Sequence, residues 1–389
     1  MNRFSFPDNI EKYIIFLPVF FIGFLITFII TPIIGRIAKK NGAVYIPNTK
    51  RKGKDFDNEK KAIHKGIVPA LGGLSIIIPL LLTILICFKL NSTTLPFIIA
   101  LGILVIEGTL DDLFNLPAKT QLIFQILASL VIVFSSVDLG SLAIFSSEIP
   151  MDILSFQGNI GNIAISLIFP GDLILLIWLI FCINSFKWVG GSPGLIEGNA
   201  FVVLLLIFLI AVRREVLFAS TISILAAGSL LAFLIFAYPP ALIMSGSPGK
   251  STYGIMIAVL GLITEAKVAT TLILLLLPTL DAIYVIVNRY IQFKPKNPLN
   301  LIKISGTDHF HHKLLKLNLT PQRVFWIELG ITLLIGSFAI FSTGTLRFLL
   351  LVWAIIFIIA ITLFINMKFK EQENQKVQKK ESSESKYSY

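Results

Sequence analysis

Tyr13-Ile-Ile-Phe-Leu-Pro-Val-Phe-Phe-Ile-Gly-Phe-Leu-Ile-Thr-Phe-Ile-Ile-Thr-Pro-Ile-Ile34 is an uninterrupted apolar run without one charged side chain. A helix crossing a bilayer needs about 20 such residues, so this stretch is long enough to span. It is too long for a signal-peptide core, and no small-residue cleavage site follows it, so it reads as a retained helix. Comparable runs recur along the chain. The spans expected are Tyr13 to Ile34, Leu71 to Phe88, Leu95 to Leu110, Gln121 to Val137, Leu173 to Phe186, Gly198 to Val212, Leu217 to Tyr238, Tyr253 to Ile263, Val268 to Val287, Val324 to Phe341 and Leu346 to Met367. Several fall short of the bilayer length, so their ends must run into flanking polar sequence or the bilayer must thin.

Composition agrees: of 389 residues, 55% are hydrophobic and 14% charged. The fold class expected is an all-α polytopic membrane protein, ten or eleven transmembrane helices around a cytoplasm-facing cleft. One transmembrane domain is expected over residues 1–367. The tail, residues 368–389, is rich in Lys, Glu, Gln and Ser and too polar to bury a core, so it reads as disordered or as a short surface helix. Cys87 and Cys182 lie inside apolar runs and read as reduced packing residues.

The formal charge of +11 follows the membrane rather than a nucleic-acid surface. Gly35 to Gly66 carries Arg36, Lys39, Lys40, Lys50, Arg51, Lys52, Lys54, Lys60, Lys61 and Lys65, whereas Asp138 to Asp172 has no Lys or Arg. The positive-inside rule therefore makes the first segment cytoplasmic and the second external. With eleven spans, Asp111-Asp112, Asn184 to Gly194, Gly246 to Ser251, the Arg289 to Arg323 loop and the C-terminus share the cytoplasmic face, and only Arg213-Arg214 runs against the rule. The external segment mixes Gly, Ser and Ile in β-prone pieces that suit a small hairpin or re-entrant cover.

Chemistry concentrates on that inner face. Gly108-Thr-Leu-Asp-Asp-Leu-Phe-Asn115 sets two adjacent carboxylates at a helix mouth, where they are costly to dehydrate unless held for a cation, a proton or a phosphate; the plainer reading is a helix cap. Two glycine-rich turns, Val189-Gly-Gly-Ser-Pro-Gly-Leu195 and Gly246-Ser-Pro-Gly-Lys-Ser251, let backbone approach a ligand and present N–H groups. The second is not a nucleotide P-loop, because Met244 stands where that motif needs its first glycine and a membrane helix precedes it. His309-Phe-His-His312 lies on a loop with Lys303, Lys313 and Lys316. With no cysteine at hand, it suits phosphate oxygens or a proton better than zinc.

In order and spacing these blocks resemble the polyprenyl-phosphate N-acetylhexosamine-1-phosphate transferases of glycosyltransferase family 4, the group of phospho-MurNAc-pentapeptide and undecaprenyl-phosphate GlcNAc-1-phosphate transferases. Pro69-Ala-Leu-Gly-Gly73 looks like the family's Pro-Arg-x-Gly-Gly block, and Gly108 to Gln125 like its Asp-Asp block. Asn184 to Gly198 follows Asn-x-x-Asn-x-x-Asp-Gly-x-Asp-Gly-Leu-x-x-Gly at Asn184, Gly191, Gly194, Leu195 and Gly198. Gly246 to Gly254 follows Gly-Asp-x-Gly-Ser-x-x-x-Gly at Gly246, Gly249 and Gly254. Pro278, Asp281, Arg289 and His309 to Leu315 look like the last block.

The resemblance implies an integral plasma-membrane enzyme of cell-envelope biogenesis that moves a sugar-1-phosphate from a UDP-N-acetylhexosamine to a polyprenyl phosphate, with magnesium near the pyrophosphate. Asp111 and Asp112 would activate or orient the lipid phosphate. Asn184, Lys187, Gly194, Gly249, Lys250, His309, His311 and His312 would contact substrate. Membrane lipid and a second copy of the chain are the other partners it implies, and nucleic acid is not one.

Departures fall on the chemistry. Where the family carries acids this chain has Gly190, Pro193, Ser247 and Gly306; where it carries Asn and Ser it has Lys187 and Lys250; its basic positions become Ala70 and Gln121. One ammonium ~4 Å from a divalent ion costs roughly 8 kcal/mol at an effective dielectric of ~20, so magnesium of the usual kind is doubtful. Asp111, Asp112 and Asp281 are the remaining metal candidates. Two functions stay open: a phosphotransferase in which the lysines supply the positive charge, or an inactive homologue that binds lipid phosphate or nucleotide as a partner or regulator. A transporter would need charge at mid-depth and related halves, neither of which is evident.

Overall fold

The computed structural model describes residues 11–46, 66–135, 137, 139, 141–144, 147–160, 163–189, 192–264, 268–294, 309–341 and 344–385. Each of the eleven apolar runs falls on helix. After the short α1 (Glu11–Ile14) come α2 (Leu17–Lys40), α3 (Leu74–Cys87), α4 (Thr94–Phe114), α5 (Ala118–Val133), α6 (Gly171–Val189), α7 (Leu195–Arg213), α8 (Leu217–Ala237) and α9 (Gly246–Ile263). They are followed by α10 (Val268–Leu274), α11 (Leu276–Phe293), α12 (Phe310–Lys316), α13 (Pro321–Phe341) and α14 (Gly344–Ser385). Helix is the form that satisfies every backbone group within one segment, which apolar surroundings demand.

Among the described residues, four segments are long and apolar enough to cross a membrane: Glu11–Lys40, Leu195–Arg213, Leu217–Ala237 and Phe348–Phe369. The middle two are 78% buried inside the protein, the outer two only 17% and 22%, so α7 and α8 form the core while α2 and α14 show most of their apolar surface outward. Small residues allow the closest crossing: a Cβ on Gly23 would strike the Leu225 carbonyl and one on Gly228 the Phe20 backbone, and Ser229 donates to the Gly23 carbonyl at 3.2 Å.

The chain is mostly helical rather than all-α. Among the described residues, three antiparallel strand pairs accompany the helices: β1 (Val44–Tyr45) with β2 (Val68–Pro69), β3 (Ser141–Ile144) with β4 (Ser147–Pro150), and β5 (Asp152–Ile160) with β6 (Ile163–Pro170). The last two answer the β-prone stretch between α5 and α6. α14 continues through Ser385, so the backbone is helical where the polar composition suggests disorder or a short surface helix.

The termini alternate. The chain after α2 pairs through Ala43 with Ala70 at 2.8 Å, and Gly72 and Gly73 donate to the carbonyls of Met244 and Ser245 at 3.0 and 2.8 Å. The end of α4 meets the start of α9, and the end of α6 meets α4 and α5 (below). One pole of the bundle thus gathers the C-termini of α2, α4, α6 and α8 and the N-termini of α3, α5, α7 and α9. At the other pole Lys12 pairs with Glu215 at 2.7 Å beside Arg213.

Candidate active site

α4 carries its chemistry on a single buried stripe. Phe97, Ala100, Leu101, Leu104, Glu107, Gly108, Asp111 and Asp112 are buried, spaced three and four apart except for adjoining pairs, as one helix face requires. The helix stops at Asn115, in the left-handed region at φ 53°, whose N–H returns to the Asp111 carbonyl at 2.8 Å. Pro117 then starts α5 and brings Gln121 back over the acids.

Asp111 accepts from Gln121 Nε2 at 2.8 Å through Oδ1 and from the Ser247 hydroxyl at 2.6 Å through Oδ2. Asp112 Oδ2 accepts the Ser247 backbone N–H at 3.0 Å. That bond places a carboxylate on the first turn of α9, where free N–H groups and the helix dipole favour negative charge. The helix-cap reading of the acid pair therefore holds for Asp112, in a buried position rather than in headgroup water.

Glycines make the junction possible. A Cβ on Gly108 would overlap Pro248, and one on Gly73 would overlap Gly249. Gly246 enters α9 at φ +70° with Asp112 against it, a conformation and a space that suit only glycine.

Glu107 was not anticipated. It lies one turn before Asp111 on the same face, a four-residue offset that could have revealed it. Its side chain is fully buried and accepts from Lys187 Nζ at 2.6 Å and from the Ser251 hydroxyl at 2.8 Å. Lys187 also donates to Gln121 Oε1 at 2.9 Å. The result is one chain of bonds, Ser251–Glu107–Lys187–Gln121–Asp111–Ser247–Asp112, drawn from α4, α5, α6 and α9. Lys187 is thus held by protein groups rather than presented freely. Lys250 lies 5.8 Å from the centre of the Tyr45 ring and interacts electrostatically with buried Glu197 on α7.

Other expected residues lie close by. Asn184 Nδ2 donates to buried Gln125 Oε1 at 2.7 Å, tying α6 to α5. Gly194 caps α7 at φ +73° against the Ala237 carbonyl, and Gly249 packs on Ser245 and Tyr253. Gly190, Gly191, Lys303 and Gly306 lie outside the described residues.

A second cluster surrounds α12. Asp281 on α11 accepts His309 Nδ1 at 2.8 Å and the Phe310 N–H at 2.8 Å, so one carboxylate orients the imidazole and caps the helix. The His311 and His312 rings lie 4.2 Å apart, and Lys313 Nζ sits 3.9 Å over the Tyr284 ring. His311 is completely buried, and neither ring nitrogen has a hydrogen-bond partner among the described residues. Burial foremost, then His312 and His309, lowers its pKa well below 6.5, so it is neutral at pH 7. No hydrogen bond described here joins this cluster to the acid pair.

In the first cluster protein groups already engage several of the acid oxygens. Both Asp111 oxygens and both Glu107 oxygens already face protein donors, an ammonium lies among the acids, and the described residues contain no group of three His, Cys, Asp or Glu that could hold a metal ion.

The family model for glycosyl transferase family 4 matches residues 94–265, from the start of α4 past the end of α9. That span contains the whole bonded chain. A probable undecaprenyl-phosphate N-acetylglucosaminyl 1-phosphate transferase of Bacillus subtilis is 25% identical over 319 residues, covering 80% of each chain. A decaprenyl-phosphate N-acetylglucosaminephosphotransferase of Mycolicibacterium smegmatis is 25% identical over 83% of this chain and 80% of its own. A phospho-N-acetylmuramoyl-pentapeptide-transferase of Staphylococcus carnosus is 26% identical over 81% and 96%.

Over residues 94–265 the chain is similar to glycosyl transferase family 4. The glycines let α3, α4 and α9 touch, and Lys187 and Ser247 bond to acids of α4.

Proposed function

We propose that this chain transfers a sugar-1-phosphate from a UDP-N-acetylhexosamine to a polyprenyl phosphate at the cytoplasmic face of the cell membrane. One observation carries the reading: Pro69 to Gly73, Asp111-Asp112 and Gly246 to Gly249, far apart in sequence, meet in one buried junction. Its relatives carry names of that activity. The alternation of helix ends from α2 to α9 supports the part of this reading in which the chain crosses the membrane repeatedly within residues 1–367, in ten or eleven crossings overall, with a cleft at the pole that carries Arg36, Lys39 and Lys40 and a polar cytoplasmic tail over residues 368–389.

In the reaction a lipid phosphate oxygen forms a bond to the phosphorus that bears the sugar, and that phosphorus loses its bond to UMP. The products are a lipid-diphosphate sugar and UMP. A phosphate monoester has its second pKa near 6, so at pH 7 the nucleophile is already largely dianionic. Asp111 and Asp112 then serve to orient it rather than to deprotonate it. His309, held by Asp281, and His311, whose neutral ring has one N–H to donate, offer contacts for phosphate oxygens. Asn184 stands at the donor side. Positioning and charge stabilisation carry phosphoryl transfer, and these groups can provide both.

A second reading has its own support: with both Asp111 oxygens engaged, the chain would bind lipid phosphate or nucleotide without turnover, as a partner or regulator. Purified protein incubated with radiolabelled UDP-N-acetylglucosamine and undecaprenyl phosphate, with magnesium or with EDTA, separates the two. Label in lipid that is lost in Asp111→Asn supports transfer. Retained lipid binding with no label under any condition replaces it with the second reading.

A further inference from the structure

The two substitutions that bond to the acids occupy opposite sides of Asp111. From α9, Ser247 stands where the family pattern has an acid, and it gives Asp111 a hydroxyl at 2.6 Å and Asp112 a backbone N–H at 3.0 Å. A carboxylate at this position would bring a third acid onto Asp111 exactly where a donor is now, and a cation would be needed to hold the three together. From α6, Lys187 stands where the pattern has an amide. Its ammonium binds Glu107 at 2.6 Å and reaches Asp111 through Gln121, whose amide accepts from the lysine at 2.9 Å and donates to the aspartate at 2.8 Å.

Taken singly, each change removes something a metal site needs. Taken together they close an electrostatic circuit. The lysine supplies a positive charge, Glu107 fixes it in a position only 10% exposed, and the serine supplies the donor that a bound cation would otherwise replace.

We infer that Lys187 and Ser247, with Glu107 as the residue that positions the lysine, form a built-in replacement for a divalent cation, so that this site assembles without one. Its place in the reaction rests on the transferase reading, but the arrangement itself is tested without turnover.

The test uses the full chain purified in detergent, without substrate. Free Mn2+ is followed by electron paramagnetic resonance during titration, and thermal unfolding is followed with and without Mg2+. The wild type is expected to take up no stoichiometric Mn2+ and to melt at the same temperature in Mg2+ and in EDTA. The double variant Ser247→Asp with Lys187→Asn, which returns both positions to the family pattern, is expected to bind about one Mn2+ per chain, at least about tenfold tighter than the wild type, and to be stabilised by Mg2+. One Mn2+ per wild-type chain, lost in Asp111→Asn, overturns the inference. So does a monodisperse, helical double variant that ignores both ions. If the double variant does not fold, the wild-type titration still decides. Failure of sugar transfer by the wild type leaves these readouts intact, so the two readings fail separately.

Discussion

Glu107→Gln and Lys187→Met, made singly and together, measure the ion pair on which the site depends. Glu107 is fully buried and Lys187 is 10% exposed, so solvent screens the pair little. Removing one partner of a buried pair typically costs about 3–5 kcal/mol, because the other charge is left without compensation. Here each survivor keeps one bond: Ser251 still donates to Glu107 in Lys187→Met, and Gln121 still accepts from Lys187 in Glu107→Gln. Each single loss should therefore sit at the low end, about 3 kcal/mol. The double variant leaves no unpaired charge and should fall within about 1 kcal/mol of wild type. The assay is reversible unfolding in mixed micelles, titrated with denaturing detergent and followed by helical circular dichroism, at two ionic strengths. The coupling should change little with salt, since screening acts mainly on exposed charges. Strict additivity, or single variants within about 1 kcal/mol of wild type, would refute the idea that Glu107 holds the lysine.

Gly108→Ala drives a methyl into the Pro248 backbone and should cost about 1–3 kcal/mol or more, whereas Gly102→Ala on the same helix has open space and should be neutral or slightly stabilising; paired unfolding curves compare them. His311 has a folded pKa below its unfolded value of about 6.5, so the unfolded chain binds the extra proton and stability falls as pH drops from 6.5 towards the lower folded value. His311→Phe should remove that slope in thermal melts between pH 7 and 5. Asp281→Asn weakens both the His309 contact and the Phe310 cap, so backbone amides of α12 should exchange faster while the end of α4 is unchanged, as read by hydrogen-exchange mass spectrometry.

The cost of burying charge explains why the acid pair drew attention in the sequence and why its partners did not. Asp111 and Asp112 are adjacent and end an apolar run, so their type and place are local facts. Glu107 sits only four residues earlier, within the same helix face, yet it reads as one polar residue in an apolar run until Lys187 is set against it. That lysine is 80 positions away, and Ser247 is 136 positions from Asp111. Their sequence signs invite the opposite conclusion, a lysine free to grip pyrophosphate and a serine that has merely lost an acid.

By itself the chain of residues determined a mostly helical membrane protein, the helical course of its apolar runs and its resemblance to a family, because apolar length and glycine spacing are written locally. Tertiary structure alone decided that the lysine is paired and that the serine bridges both aspartates. It also decided that Asp112 caps α9 while Asp281 holds His309. Those outcomes depend on which helix faces meet, and a charge in a sequence carries its sign but not its partner.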